Sequence, residues 1–131
     1  MIPDFGGSSE SLEIVLNARP DVLNHNIETV PRLYPQVRPK ADYKRSLELL
    51  KHAKETITLH EVTTKSGLML GLGEEWDEII SVMQAIRDVG CDILTLGQYL
   101  SPKKDALQIQ RYYTPEEFKM LKIEGERMGF L

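Results

Sequence analysis

At 131 residues, with 41% apolar and 27% charged positions and a formal charge of −4, the chain has the balance of an ordinary folded domain, not of a disordered or collagen-like one. The acidic charge argues against a nucleic-acid or anionic-membrane partner, no apolar run approaches the ~20 residues of a membrane helix, and no basic-then-apolar leader opens the sequence. A single cysteine, Cys91, excludes an internal disulfide and an all-thiolate metal site and points to a soluble protein of a reducing compartment.

Ser8 and Ser9 are placed to cap a first helix reaching about residue 18, with Leu12, Val15 and Leu16 on one face. Residues 21–24 read as a short strand that runs into the polar stretch His25-Asn26-Ile27-Glu28. Pro31, Pro35 and Pro39 predict an extended loop over 29–40. A second helix is expected over about 42–55, its apolar side carrying Tyr43, Leu47, Leu50 and Ala53, with Lys54 in the same spacing. Residues 63–70 form the next strand, followed by a turn at Gly71 and Gly73. Glu74, Glu75 and Asp77 then open a third helix, where carboxylates suit the positive end of the dipole. Its stripe is Trp76, Ile79, Ile80, Met83 and Ile86, and Gly90 ends it. A further strand at 92–96 leads to Gly97-Gln98-Tyr99. Thr114-Pro115-Glu116-Glu117 is a capping box with proline at the first helical position, and it starts a last helix that Gly129 stops, with Phe118, Leu121 and Met128 on its core side.

Strands apolar on both faces and alternating with helices indicate an α/β fold with a parallel sheet. Ile2-Pro3-Asp4 resembles the tail of one more strand. Three strands and this remnant make either about half of an eight-stranded barrel or a small four-stranded α/β sandwich. The half-barrel leaves two open strand edges, which favour self-association.

Ligands of such sheets bind at the carboxyl ends of the strands. Three polar clusters fall there: Asn24 to Glu28, Lys65 with Gly67 to Glu74, and Gln98-Tyr99. Each is equally what a strand end needs to meet water. The glycine segment is neither a phosphate loop nor a dinucleotide fingerprint, because no Gly-Lys-Ser/Thr follows and Trp76 stands where a third glycine belongs. His52 and Glu48 read as a solvated pair on a helix, His60 has no partner at ligand spacing, and His25 is the one histidine at a strand end and so a candidate ligand contact. Cys91 reads as a buried structural thiol. Arg32, Arg38 and Lys40 suit either an acidic partner or a solvated loop.

Beyond these types, the wording of the sequence resembles a known family. Residues 21–34 (DVLNHNIETVPRLY), 38–47, 64–74 (TKSGLMLGLGE), 92–100 (DILTLGQYL) and 111–118 are similar to lipoyl synthases, in order and over nearly the whole chain. The resemblance implies a radical S-adenosylmethionine enzyme, a sulfurtransferase of lipoate biosynthesis, folded as a partial (half) TIM-like barrel of parallel βα units. Its members insert two sulfur atoms into an octanoyl chain on a lipoyl-carrier domain, using one iron–sulfur (4Fe-4S) cluster to cleave S-adenosylmethionine and consuming a second as sulfur source. The superfamily pattern G-x-[IM]-x-G-x-x-E, which cradles the adenine end of S-adenosylmethionine, is matched by Gly67, Met69, Gly71 and Glu74. The same resemblance makes Asn24, Asn26 and Glu28 contacts for the ribose or methionine part and has Lys65, Gln98 and Tyr99 line the cavity. Its partners are the octanoylated carrier domain and the remaining half of the barrel, and its place is the cytoplasm, or the mitochondrial or plastid matrix in a eukaryote.

Residues 1–131 thus read as a single C-terminal half-barrel segment of the family's domain. The two cysteine triplets that hold the clusters, and an arginine-serine-serine-tyrosine tail, have no counterpart here; Ala106 and Ser101 replace a histidine and a glutamine usual in the family. One cysteine cannot hold a cubane cluster, so the isolated chain is expected to be inactive and to supply S-adenosylmethionine and substrate positioning. The alternative is a cluster-free binding module, or a remnant, that pairs with another barrel protein.

Overall fold

Three parallel strands lie side by side in chain order, β1 (Val22–Asn24), β2 (Thr63–Leu70) and β3 (Ile93–Gln98), in the computed structural model of the protein, which describes residues 1–56 and 61–131. His60 lies outside the described residues. The helices are α1 (Ser9–Asn17), α2 (Tyr34–Val37), α3 (Tyr43–Glu55), α4 (Trp76–Asp88) and α5 (Pro115–Met128). This is an α/β architecture of parallel βα units, as expected for part of a barrel.

Local chemistry explains most element boundaries. Ser8 caps α1 by accepting from the Ser11 N–H, and Asp42 caps α3 by accepting from the Arg45 N–H. Thr114 and Glu117 form the expected capping box of α5, and Gly129, at φ 97°, turns the chain away after it. The segment 29–40 is not simply extended. Pro31 begins a 3-10 turn over Pro31–Leu33, and Pro35 occupies the first turn of α2. Proline breaks a helix interior but fits a helix start, where its missing N–H has no partner to lose. Glu74 likewise does not open α4: Glu75 is the N-cap, paired reciprocally with Glu78.

Register sorts the strand residues onto two faces. Leu23, Thr64, Ser66, Leu68 and Leu70 point to one side, where Leu50, Ile79, Met83, Ile86 and Leu121 are fully buried against the sheet and each other. Alternate residues, Val22, Asn24, Lys65, Gly67, Met69, Thr95 and Gly97, point to the other. On that side Val22, Thr95 and Gly97 are exposed. Among the described residues helices therefore cover one face only, whereas a doubly wound sheet carries them on both. A smaller cluster of Leu12, Leu16, Leu23, Leu49, Ala53 and Val62 seats α1 and α3 beside β1. Burial in the helices follows the expected stripes with additions: Ser46 and Leu49 in α3 and Val82 in α4 are buried too, while Tyr43, Leu47, Trp76 and Ile80 sit at the core margin. Ile2-Pro3-Asp4 forms no strand, yet the Ile2 N–H donates to the Asn24 carbonyl at 2.9 Å, alongside β1. Among the described residues no helix is long and apolar enough to cross a membrane.

Candidate functional site

The open face is organised in levels along the strands. Val22 and Thr63 share the lowest level, and Asn24, Lys65 and Ile93 the next. One pleat further on are Gly67 and Thr95, and above them Met69 and Gly97. The segment after β1 continues along β2 without strand geometry. The Glu28 N–H donates to the Gly67 carbonyl at 2.8 Å, and the Met69 N–H donates to the Glu28 carbonyl at 2.7 Å. These bonds pair Glu28 with Leu68 in an isolated parallel bridge, and the Asn26 side chain lies against Gly67. The Asn26 amide donates to the Glu28 carboxylate at 3.1 Å. Glu28 holds φ 71°, a left-handed conformation that costs a non-glycine residue about 1 kcal/mol or more and persists only where surroundings enforce it.

Gly67 is closely packed by polar side chains. A Cβ there would lie 3.0 Å from Thr95 Oγ1 and 3.1 Å from Asn26 Oδ1, so both side chains would have to shift slightly to admit one. Gly97 is the opposite case: a Cβ would meet no described residue within 4 Å, so the face is open at that position. The Oδ1 atom of Asn24 is buried without a hydrogen-bond partner among the described residues.

The segment 24–28 is tied down from behind. Tyr34 donates to the Ile27 carbonyl at 2.7 Å, the Ile27 N–H donates to Ser66 Oγ at 3.2 Å, and the Arg38 guanidinium donates to the Asn26 carbonyl at 3.0 Å. Burial pushes the Tyr34 phenol above its usual range, so it remains a donor. Tyr34→Phe is expected to cost only about 1 kcal/mol, because Ile27 keeps the Thr29 N–H as a second donor; a urea unfolding midpoint measures it.

His25 does not meet the open face. It is 2% exposed, with Nδ1 3.0 Å from the Ile2 carbonyl and Nε2 2.9 Å from Ser46 Oγ. Burial depresses its pKa, with the Arg38 charge acting in the same direction against the Ile2 bond, so it stays neutral and structural.

The remaining expected contacts divide. Gly71, at φ 103°, makes the turn after β2. The Glu74 carboxylate is buried beneath that turn and accepts from the Gly71 N–H at 2.6 Å and the Leu72 N–H at 2.9 Å. Gln98 pairs with Leu70 and so lies on the helix-covered face. Its amide donates to the Tyr99 and Arg111 carbonyls at 3.0 and 3.1 Å and accepts from the Tyr113 N–H at 2.9 Å. The Tyr99 hydroxyl donates to the Leu107 carbonyl at 3.0 Å. Glu74, Gln98 and Tyr99 therefore shape the rim, while Asn24, Asn26, Glu28, Lys65, Gly67 and Met69 make the face itself. Arg111 ion-pairs with Glu117 and its guanidinium stacks 3.9 Å above the Tyr113 ring. Burial, and then the adjacent Glu74 carboxylate, hold the Tyr113 phenol far above its usual pKa.

Sequence reasoning passed over Thr95, Ser66, Tyr34 and Tyr113. Thr95 was legible in principle, two residues before Gly97 on the same side of β3. The others act through partners 7 to 39 residues away, a separation no local pattern reveals. His52 faces Glu13 at 3.7 Å rather than Glu48. Cys91 is fully buried, and burial raises its pKa further, so it is an inert thiol. Among the described residues no group of three or more histidine, cysteine or acidic side chains is placed to hold a metal ion.

No family model matches the chain. Curated relatives do. Over 130 residues it is 52% identical to the lipoyl synthase of Caldanaerobacter subterraneus subsp. tengcongensis and 55% identical to that of Rubrobacter xylanophilus, covering 99% of this chain but 45% and 40% of theirs. The lipoyl synthase of Actinobacillus pleuropneumoniae serotype 5b is 55% identical over 131 residues, 39% of its length. Over 99% of its own length the chain is thus a homologue of the lipoyl synthases, and it spans under half of the length of the relatives it matches.

Proposed function

We propose that the chain supplies the S-adenosylmethionine and substrate-positioning face of a lipoyl synthase, and that it has no lipoyl synthase activity by itself. The observation that carries this reading is the uncovered face of the sheet. Asn26 and Glu28, held by partners behind them, stand beside a level left open at Gly97.

The residues present fit S-adenosylmethionine. Asn26 and Glu28 would hold its polar ribose or methionine groups, while Gly67, Met69 and the Gly71 turn would offer backbone and an apolar edge to the adenine. Glu74 serves from below, keeping the Gly71 and Leu72 amides in place. When bound, S-adenosylmethionine supplies the 5′-deoxyadenosyl group for hydrogen abstraction from the octanoyl chain. The residues do not fit an iron–sulfur cluster, since the one thiol is buried on the helix-covered side and a cubane needs several. The carrier domain that would bring the octanoyl chain, and a cytoplasmic or organelle-matrix setting, belong to the same proposal.

Titrating S-adenosylmethionine into the chain by calorimetry tests the reading. A saturable heat is expected, with Asn26→Ala weakening binding at least tenfold while the circular dichroism spectrum is unchanged. No heat at millimolar ligand would overturn it.

A further inference from the structure

The turn after β2 is closed by the two ends of a loop far along the chain. Four successive backbone groups of the turn are bonded. The Leu70 carbonyl accepts from the Tyr99 N–H at 2.7 Å and the Gly71 carbonyl from the Gln110 N–H at 2.8 Å, while the Gly71 and Leu72 N–H groups go to Glu74. Tyr99 and Gln110 bound the loop that leaves β3 and returns before α5 begins, so both its ends meet on one turn.

One side chain joins those ends. Gln98 Nε2 donates to the Tyr99 carbonyl on the departing arm at 3.0 Å and to the Arg111 carbonyl on the returning arm at 3.1 Å. Gln98 Oε1 accepts from the Tyr113 N–H at 2.9 Å. Both donors of the carboxamide are thus spent on backbone, and two carbonyls with one N–H as partners fix which end of it is nitrogen. Gly71 has no Cβ where the Gln98 amide and the Arg111 carbonyl lie, so this staple rests directly on the turn. Tyr113, which follows it, is buried beside the Glu74 carboxylate that holds the Gly71 and Leu72 amides.

We propose that Gln98 is a positioning residue: it staples the segment 110–113 to the Gly71 turn, and through that turn sets the affinity for ligand without itself hydrogen-bonding the ligand. The affinity half of this inference rests on the S-adenosylmethionine reading above; the staple does not. With the Gly71 and Leu72 amides spent on Glu74, a ligand meets the turn as a fixed shape. A surface already held in its bound shape spares the ligand the cost of ordering it, and loosening the staple restores that cost.

Gln98→Met keeps the reach of the side chain and removes its polar atoms. Amide hydrogen exchange is expected to quicken at least tenfold at Gly71, Leu72 and Gln110, with the Leu50 and Ile86 amides inside α3 and α4 unchanged. Calorimetry on the same folded samples is expected to find S-adenosylmethionine bound at least tenfold more weakly. Gln98→Glu keeps the acceptor for Tyr113 and loses both donors, and it decides the matter should Gln98→Met prove unfolded by circular dichroism. It is expected to match Gln98→Met at about pH 7.5 and to approach wild type near about pH 5, where a carboxyl facing two carbonyls takes up a proton and donates again. Wild type at each pH carries the contribution of the neighbouring Arg111, Glu117, Glu74 and Tyr113. Unchanged exchange at Gly71 and Leu72 overturns the staple, whatever the calorimetry shows. A wild type that binds S-adenosylmethionine no more tightly than the variants overturns the positioning role and leaves the ligand reading standing, whereas no heat from the wild type overturns that reading and the affinity half with it.

Discussion

Gly71→Ala is expected to lower the unfolding free energy by about 3–5 kcal/mol, a left-handed strain of about 1–3 kcal/mol plus a steric term of similar size. Gly71 holds φ 103°. A Cβ there would overlap the Gln98 amide nitrogen and come within 2.5 Å of the Arg111 carbonyl oxygen. The Arg111 atom is backbone, pinned by the Gln98 amide that would itself be displaced, so neither neighbour gives way cheaply. Gly73→Ala is the internal comparison. Its φ of 106° is equally unfavourable, but its Cβ would reach only the flexible Gln110 side chain at 3.4 Å. Urea denaturation of both variants should find Gly71→Ala the more damaging by about 2 kcal/mol. Equal losses would mean that the turn after β2 is not held by Gln98. Because the Glu74 carboxylate takes the Gly71 and Leu72 amides, the same substitution is expected to abolish ligand binding along with the turn.

Asp92→Ala is expected to cost about 2–4 kcal/mol, since removing one member of a partly buried hydrogen-bonded ion pair strands the others. The carboxylate accepts from the Thr64 N–H at 2.7 Å, Thr64 Oγ1 at 3.0 Å and Lys54 Nζ at 3.0 Å, joining the amino ends of β2 and β3 to α3. Lys54 also donates to the Val62 carbonyl at 3.3 Å. Burial by itself would raise the Asp92 pKa, but the Thr64 and Lys54 bonds outweigh it and the net shift is downward. A carboxyl depressed in the folded state stabilises above its unfolded pKa, near 3.9. That contribution disappears as pH falls through the folded value. Wild type should therefore lose stability on acidification from about pH 4 downward, and Asp92→Ala should lose less over the same interval. Thermal unfolding from pH 7 to pH 2 checks this; parallel curves would refute the assignment.

The secondary structure was legible because each element carries a local signal of adequate strength. Thr114 with Glu117, Ser8 and Asp42 act within three residues of the helices they start, and β2 ends in the apolar run Leu68-Met69-Leu70 just before the Gly71 turn. The 29–40 segment was misread because proline signals a break as readily as a helix start, and only the surroundings of Tyr34 and Leu33, both buried, decide between them. Glu74 looks like a helix-opening acid from its neighbours in sequence. Its burial under Gly71 is a property of the turn. The strand-end clusters were found as residue types, but their division into an open face and a rim was not. That division depends on the register of β3, which pairs Gln98 with Leu70 and Gly97 with Met69, and a shift of one residue would exchange their faces. The family likeness was carried by whole words of sequence rather than by periodicity, which is why it survived where the element reading at 29–40 failed.

The central claim is that this chain positions ligand and depends on clusters held elsewhere for the chemistry. Formation of 5′-deoxyadenosine by the purified chain, treated with iron and sulfide and supplied with S-adenosylmethionine and a strong reductant, tests it most directly. The account predicts no product above a protein-free control; sustained formation of 5′-deoxyadenosine would contradict it.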